Sequence, residues 1–185
     1  MTPKTFRRST LGFTLVETMT ALAVSGILTA VGVPQLSGLM GAKAVEGSVS
    51  SLATALRLAK SEAMKRGETV SVCAMDPQAD ARNLACAPSG KDWSAGWIVF
   101  VDQGTRGRLD DSDLVIQTHQ STSSTTKVTA TLRYITMQPT GISLTAASHF
   151  DFLPQGQADA YGARRVCINK PGRLRQLPGV MDCAA

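Results

Sequence analysis

The stretch Arg7–Pro34, RRSTLGFTLVETMTALAVSGILTAVGVP, decides how the rest of the chain is read. It joins a basic lead-in to a glycine, an apolar run holding a single glutamate, and a proline. From Phe13 to Val33 the run is 21 residues, which as a helix spans roughly 31 Å, enough to cross the hydrocarbon core of a bilayer. Lys4, Arg7 and Arg8 precede it without an acidic residue, a bias that keeps the N-terminus cytoplasmic and sends the bulk of the chain outward. A cleaved secretory signal is the competing reading. It would need a small-residue cleavage site after the run, and Ala30-Val31-Gly32 is a poor one, followed by more helix-like sequence.

Within this stretch Gly12-Phe13-Thr14-Leu15-Val16-Glu17 resembles the processing site of type IV prepilins and pseudopilins. The resemblance implies that a prepilin peptidase cuts after Gly12, leaving residues 1–12 as a leader. It further implies a mature chain that begins at a methylated Phe13 and carries Glu17 fifth. Pro34 falls at mature position 22, where pilins commonly have a proline. A carboxylate in a membrane helix costs on the order of 2.5–3.5 kcal/mol and signals a partner. In the pilin reading Glu17 pairs with the Phe13 amine of an adjacent subunit during assembly; in the bland one it snorkels to the interface.

Residues 13–34 are thus expected to form a transmembrane and assembly helix. The 151 residues of 35–185 are expected to form one periplasmic domain with a sizeable core. The formal charge of +5 shrinks to +2 when the leader's three cations are removed, leaving 16 basic against 14 acidic side chains, so any electrostatic function must come from clustering. The four cysteines, Cys73, Cys86, Cys167 and Cys183, all follow the apolar run, and an even count outside the cytoplasm favours disulfides. Of the three possible pairings, Cys73 with Cys86 and Cys167 with Cys183 close the shortest loops. Zinc ligation lacks support, because there is no CxxC and neither His119 nor His149 lies near a cysteine.

Beyond Pro34, Val45, Val49, Leu52, Leu56, Ala59 and Ala63 recur at steps of four and three, predicting an amphipathic helix to about residue 66 with Gly67 as its stop. From Thr69 the period becomes two. Strands are predicted at 69–75, 96–102 and 114–119, with a long one over 128–134 and further ones at 141–145, 149–153, 163–169 and 173–177. Residues 76–94 read as a loop, 120–127 as a polar loop, and Lys170-Pro171-Gly172 as a type II turn with Pro171 and Gly172 central.

Gly96-Trp97-Ile98-Val99-Phe100-Val101-Asp102, preceded by Trp93-Ser94-Ala95 and followed by an Asp-rich turn, resembles the hallmark of the GspH/FimT group of minor pilins and pseudopilins. With the N-terminal motif, this resemblance spans the chain and implies an α+β, type IV pilin-like fold: a long N-terminal helix packed on antiparallel sheets. Catalysis is not indicated, and no cofactor is implied. There is no GxSxG or HExxH, and Ser89-Gly90-Lys91-Asp92 lacks the rest of a phosphate loop. Asp110, Asp111 and Asp113 lack the glycine and distant glutamate of a calcium loop and read as a solvated turn.

Arg164, Arg165, Lys170, Arg173 and Arg175 place five cations within 12 positions with no acid among them. If 173–177 is a strand, Arg173 and Arg175 share a face roughly 6.6 Å apart, a spacing suited to neighbouring phosphates, and Leu174 points to the core. Gly172-Arg173-Leu174-Arg175 also resembles the GRxR motif of the FimT group, minor pilins implicated in capturing DNA for natural transformation. The resemblance implies sequence-independent, salt-sensitive binding to the DNA backbone by a subunit delivered from the inner membrane into a pilus with other pilins. A solvated basic edge that discourages sheet association is the bland reading. A GspH-like pseudopilin of a type II secretion system and a pilus-priming subunit without DNA binding are the other two.

Overall fold

The computed structural model describes residues 12–80, 82–121, 126–155 and 162–183, the side chains at 31–38 excepted. One helix, α1, runs from Leu15 to Arg66. The chain divides into two compact units, Met1–Ser37 and Gly38–Ala185, each described by itself.

In the first unit Thr14 caps the helix, its hydroxyl accepting the Glu17 N–H at 3.3 Å. Thr14 and Glu17 therefore have the spacing of a capping box, a local use of that glutamate position beside any assembly role. The large apolar side chains here are solvent-facing: Phe13 is 83% exposed, Leu15 74% and Leu22 73%. The hydroxyls turn inward instead. Thr18, Ser25 and Thr29 donate to the carbonyls of Leu15, Ala21 and Ser25 at 2.8, 2.7 and 3.0 Å. Among the described residues no helix is long and apolar enough to cross a membrane; residues 31–33 of the expected span fall where side chains are not described, and residues 1–11 of the expected leader lie outside the described residues.

The second unit holds the last turns of α1 and eight strands: β1 (Val70–Ala74), β2 (Gly96–Val101), β3 (Leu114–Gln120), β4 (Thr126–Ala130), β5 (Tyr134–Met137), β6 (Ser148–Pro154), β7 (Arg164–Ile168) and β8 (Leu174–Pro178). They form two antiparallel sheets, ordered β3-β2-β1-β5 and β4-β6-β7-β8. The predicted stripe Val45, Val49, Leu52, Leu56, Ala59 and Ala63 is buried along its whole length. It shares one core with Val70, Val72 and Val99 of the first sheet and with Val128, Phe150, Phe152, Val166 and Ile168 of the second. Gly67 ends the helix at φ +69°, its N–H bonded to the Ala63 carbonyl at 3.0 Å, the left-handed stop its position predicts.

The central strands β1 and β2 of the first sheet are buried on both faces, which explains why β2 is continuously apolar rather than alternating. Its far face packs Cys73, Met75, Ile98 and Phe100 under the loop residues Leu84, Ala85 and Cys86, and the Cys73–Cys86 disulfide holds that loop down. The one polar side chain of β1, Ser71, is fully buried and satisfied: its hydroxyl donates to Asp102 and lies 2.7 Å from the Thr136 hydroxyl. Gly96, at φ +127°, is required by close packing, because a Cβ there would sit 1.9 Å from the His119 carbonyl oxygen. His119 stacks on Trp97 with ring centroids 4.1 Å apart, and burial lowers its imidazole pKa.

Two expectations for the strands are corrected. The stretch 128–134 is not one strand: β4 ends at Ala130 in the second sheet, and β5 begins at Tyr134 in the first. The alternation of Val128, Ala130 and Leu132 looked continuous because all three side chains face the same core, while the backbone passes from one sheet to the other between them. Residues 141–145 are not a strand either, contributing only the isolated bridge Met137↔Ser143. Of the polar loop 120–127, positions 122–125 lie outside the described residues, and Thr126 and Lys127 already belong to β4.

The aspartates after β2 act on the backbone. Asp113 accepts the N–H groups of Gln103 at 2.8 Å and Asp110 at 3.0 Å, and Asp110 accepts those of Thr105 and Ser112 at 3.0 and 3.2 Å. Asp110 also accepts the Ser112 hydroxyl, and that bond, followed by the Thr105 amide, holds its carboxyl below the usual range.

Candidate functional site

The basic C-terminal region is built on the β7–β8 hairpin, the outer pair of the second sheet. Its turn differs by one residue from the sequence expectation. The Gly172 N–H donates to the Asn169 carbonyl at 2.8 Å, so Lys170 and Pro171 are central and Gly172 follows at φ +71°. Asn169 makes this register: its side-chain oxygen accepts the Arg173 N–H at 2.8 Å, the local bonding asparagine favours at turns.

The turn is braced from two sides. Lys60 of α1 donates to the Pro171 carbonyl at 3.0 Å, and the Ser143 N–H donates to the Lys170 carbonyl at 2.8 Å. A Cβ at Gly172 would come within 3.1 Å of the Gly141 carbonyl oxygen and 3.3 Å of Lys60 Nζ. Lys60 was not singled out in sequence. It sits 111 residues from its partner, and nothing in the helix pattern points to that contact.

The five cations do not form one patch. Strand pairing puts Arg164 opposite Phe152 and Arg165 opposite Asp151, so the two project to opposite faces of the sheet. Arg164 shares the helix-facing side and acts on Glu46, whose carboxyl is lowered first by its hydrogen bond to Lys43, then by the charge of Lys43, with Arg164 adding to it. Arg165 is consumed internally. Its Nε and Nη2 donate to the two Asp151 oxygens at 2.6 and 2.9 Å, and Nη1 donates to the Met181 carbonyl at 3.0 Å. This fork raises the Arg165 pKa further and withdraws it from external ligands. Nothing in the sequence gives the register that sets Asp151 beside it.

Lys170, Arg173 and Arg175 are all exposed. Arg173 and Arg175 line one groove of about 220 Å³ with His149, Cys167, Asn169 and Cys183 among others, as their predicted shared face requires. Leu174 packs partly buried against the core between them. In the groove wall the Cys167–Cys183 disulfide fastens the segment after β8 to β7. Cys167 is the register partner of both Arg175 and His149. Asp151 also lies 3.7 Å from His149 Nε2, so this carboxylate is shared by two basic groups.

A helix buried along one stripe by two antiparallel sheets, behind an N-terminal apolar segment, defines the type IV pilin-like class. Residues 48–172 match the family described as type II transport protein GspH, and residues 7–33 match the prokaryotic N-terminal methylation motif. The chain belongs to the GspH family and is a minor pilin or pseudopilin, a structural subunit that associates with other pilin subunits. Among solved structures, it is similar to the type IV minor pilin FimU of Pseudomonas aeruginosa PAO1. Identity is 19% over 74% of this chain and 90% of that one, with a TM-score of 0.53; a second crystal form gives 20%, 72%, 92% and 0.51. The minor pseudopilin EpsH from the type 2 secretion system of Vibrio cholerae is 16% identical, over 72% of this chain and 95% of that one, at 0.48. No curated protein is significantly similar in sequence. The family match ends at Gly172, so Arg173 and Arg175 lie outside it.

Proposed function

We propose that the chain is a minor type IV pilin that presents Lys170, Arg173 and Arg175 to the phosphate backbone of extracellular DNA, supporting uptake in natural transformation. One observation carries this reading: three exposed cations sit on and just beyond a turn fixed through its main chain by Lys60, Asn169 and Ser143. The detergent-solubilised chain should bind random-sequence duplex DNA at low salt. Arg173→Ala with Arg175→Ala should lower affinity at least about tenfold and the salt slope by about two. Equal binding by the two proteins rejects the site.

In this proposal Gly12–Phe13 is the bond cut by the prepilin peptidase, and residues 13–34 hold the chain in the inner membrane, with 35–185 periplasmic until assembly. Exposed apolar side chains and hydroxyls folded back onto the helix carbonyls suit a lipid surround. Glu17 then pairs with the Phe13 amine of a neighbouring subunit. Glu17→Ala should be processed normally yet enter filaments at a small fraction of the wild-type level, measured by immunoblot of sheared pili; wild-type incorporation refutes the pairing.

The family match itself supports a second reading, a pseudopilin of a type II secretion system. A deletion strain separates the two: loss of secretion with intact transformation favours the second, and the converse the first.

A further inference from the structure

A second basic site lies where the chain crosses between sheets. Residues 131–133 leave a cleft of about 530 Å³ whose lining includes Lys91, Arg106, Leu132, Arg133, Tyr134 and Leu144, with no carboxylate among its described lining residues. Its floor is held rigidly. The Leu132 carbonyl accepts the indole N–H of Trp93 at 3.0 Å, and the Tyr134 ring lies directly on Gly107, where a Cβ would come within 2.3 Å of the ring. Arg133 is fixed too: its guanidinium stands 5.4 Å from the Tyr134 ring centroid, and Nη1 donates to the Pro88 carbonyl at 2.9 Å. Lys91 and Arg106 are exposed, and neither is ion-paired among the described residues.

This cleft adjoins the hairpin groove. Leu144, Thr145 and Ala146 line the cleft, and the next three residues, Ala147, Ser148 and His149, line the groove that holds Arg173 and Arg175. One short strap of chain therefore separates two concavities, both cationic.

The chemistry of the two differs. The hairpin offers charges on an exposed turn, which suits phosphates on any duplex or single strand. The cleft adds the apolar and aromatic side chains of Leu132, Tyr134 and Leu144 to a cationic rim, in a volume typical of small-molecule sites. A flat, unsaturated group attached to anions fits that combination, and an unpaired nucleotide is such a group. Bases inside a duplex are stacked and paired, so a duplex could offer this rim only its phosphates.

Building on the DNA-binding reading above, we propose that the cleft takes an unpaired nucleotide of the strand gripped by the hairpin, giving the subunit a preference for single-stranded segments. The test uses the full chain in detergent, with fluorescence anisotropy on a 20-nucleotide oligothymidine and on a 20-base-pair duplex, lengths chosen to span both sites. The wild type should favour the single strand. Lys91→Ala with Arg106→Ala should cost about tenfold on oligothymidine and less than about threefold on duplex, with an unchanged melting midpoint. Arg173→Ala with Arg175→Ala should weaken both substrates.

If the Lys91/Arg106 variant binds oligothymidine like the wild type while the Arg173/Arg175 variant does not, the cleft is rejected and the hairpin stands. If the Lys91/Arg106 variant loses equally on both substrates, the cleft meets only phosphates and base insertion is rejected. Loss of filament incorporation with unchanged DNA binding would assign the cleft to an acidic neighbouring subunit, again overturning the proposal. Unchanged binding in both variants removes the hairpin reading as well.

Discussion

Trp93→Ala should destabilise the globular unit by about 4 kcal/mol and lower its melting midpoint by roughly 10 °C, followed by circular dichroism. Trp93 is fully buried and meets Phe150 edge-on at a centroid distance of 4.9 Å. It also joins separate parts of the fold: its backbone N–H donates to the Val128 carbonyl at 2.8 Å, and its indole N–H to that of Leu132 at 3.0 Å. Truncation would thus open a cavity between loop and sheet and also orphan a carbonyl at the sheet crossing. Trp93→Phe separates the two losses, because it keeps much of the ring volume and removes only the donor. It should cost about 1–2 kcal/mol. A Trp93→Ala midpoint within about 3 °C of wild type would show that the crossing does not depend on this side chain.

Replacing Cys167 and Cys183 together by alanine should cost about 3 kcal/mol, the loop-closure value for a 16-residue separation. The more specific effect is local. β8 is an outer strand of its sheet, paired only with β7, and the chain beyond it returns to β7 through this disulfide and the Arg165–Met181 hydrogen bond. Without the bridge, amides of 174–177 should exchange faster than in the wild type, while those of β1 and β2, which are buried on both faces, keep their protection. Hydrogen exchange followed by mass spectrometry reads this directly. Unchanged protection over 174–177 would mean that β8 is held by its ladder and by Leu174 alone. The pair Cys73→Ala and Cys86→Ala, with a separation of 13, should lose comparable stability yet leave β8 protection unaltered.

The helix stripe, the strong strand at Gly96 and the two disulfides were legible in the sequence because each rests on short-range information: period, composition and spacing. The sheet crossing at 131–133 was hidden by that same information. Alternation reports which way side chains point, and both sheets face one core, so the pattern continues while the backbone changes partners. The basic cluster failed in part for a related reason. Five cations close in sequence imply a patch only if their partners are known, and Asp151 and Glu46 reach Arg165 and Arg164 through strand register and helix packing. Lys60 and the Lys91, Arg106 and Arg133 cleft are assembled from segments distant along the chain. No local pattern could have grouped them.

The turn at 169–173 separates architecture from chemistry. Its shape is set by main-chain carbonyls and amides held by Lys60, Ser143 and Asn169, whereas the cationic side chains at 170, 173 and 175 are exposed. Positions 170 and 173 can therefore vary in charge while the loop keeps its form. Such a platform lets one pilin scaffold exchange ligands by a handful of surface substitutions, without refolding the subunit that carries them.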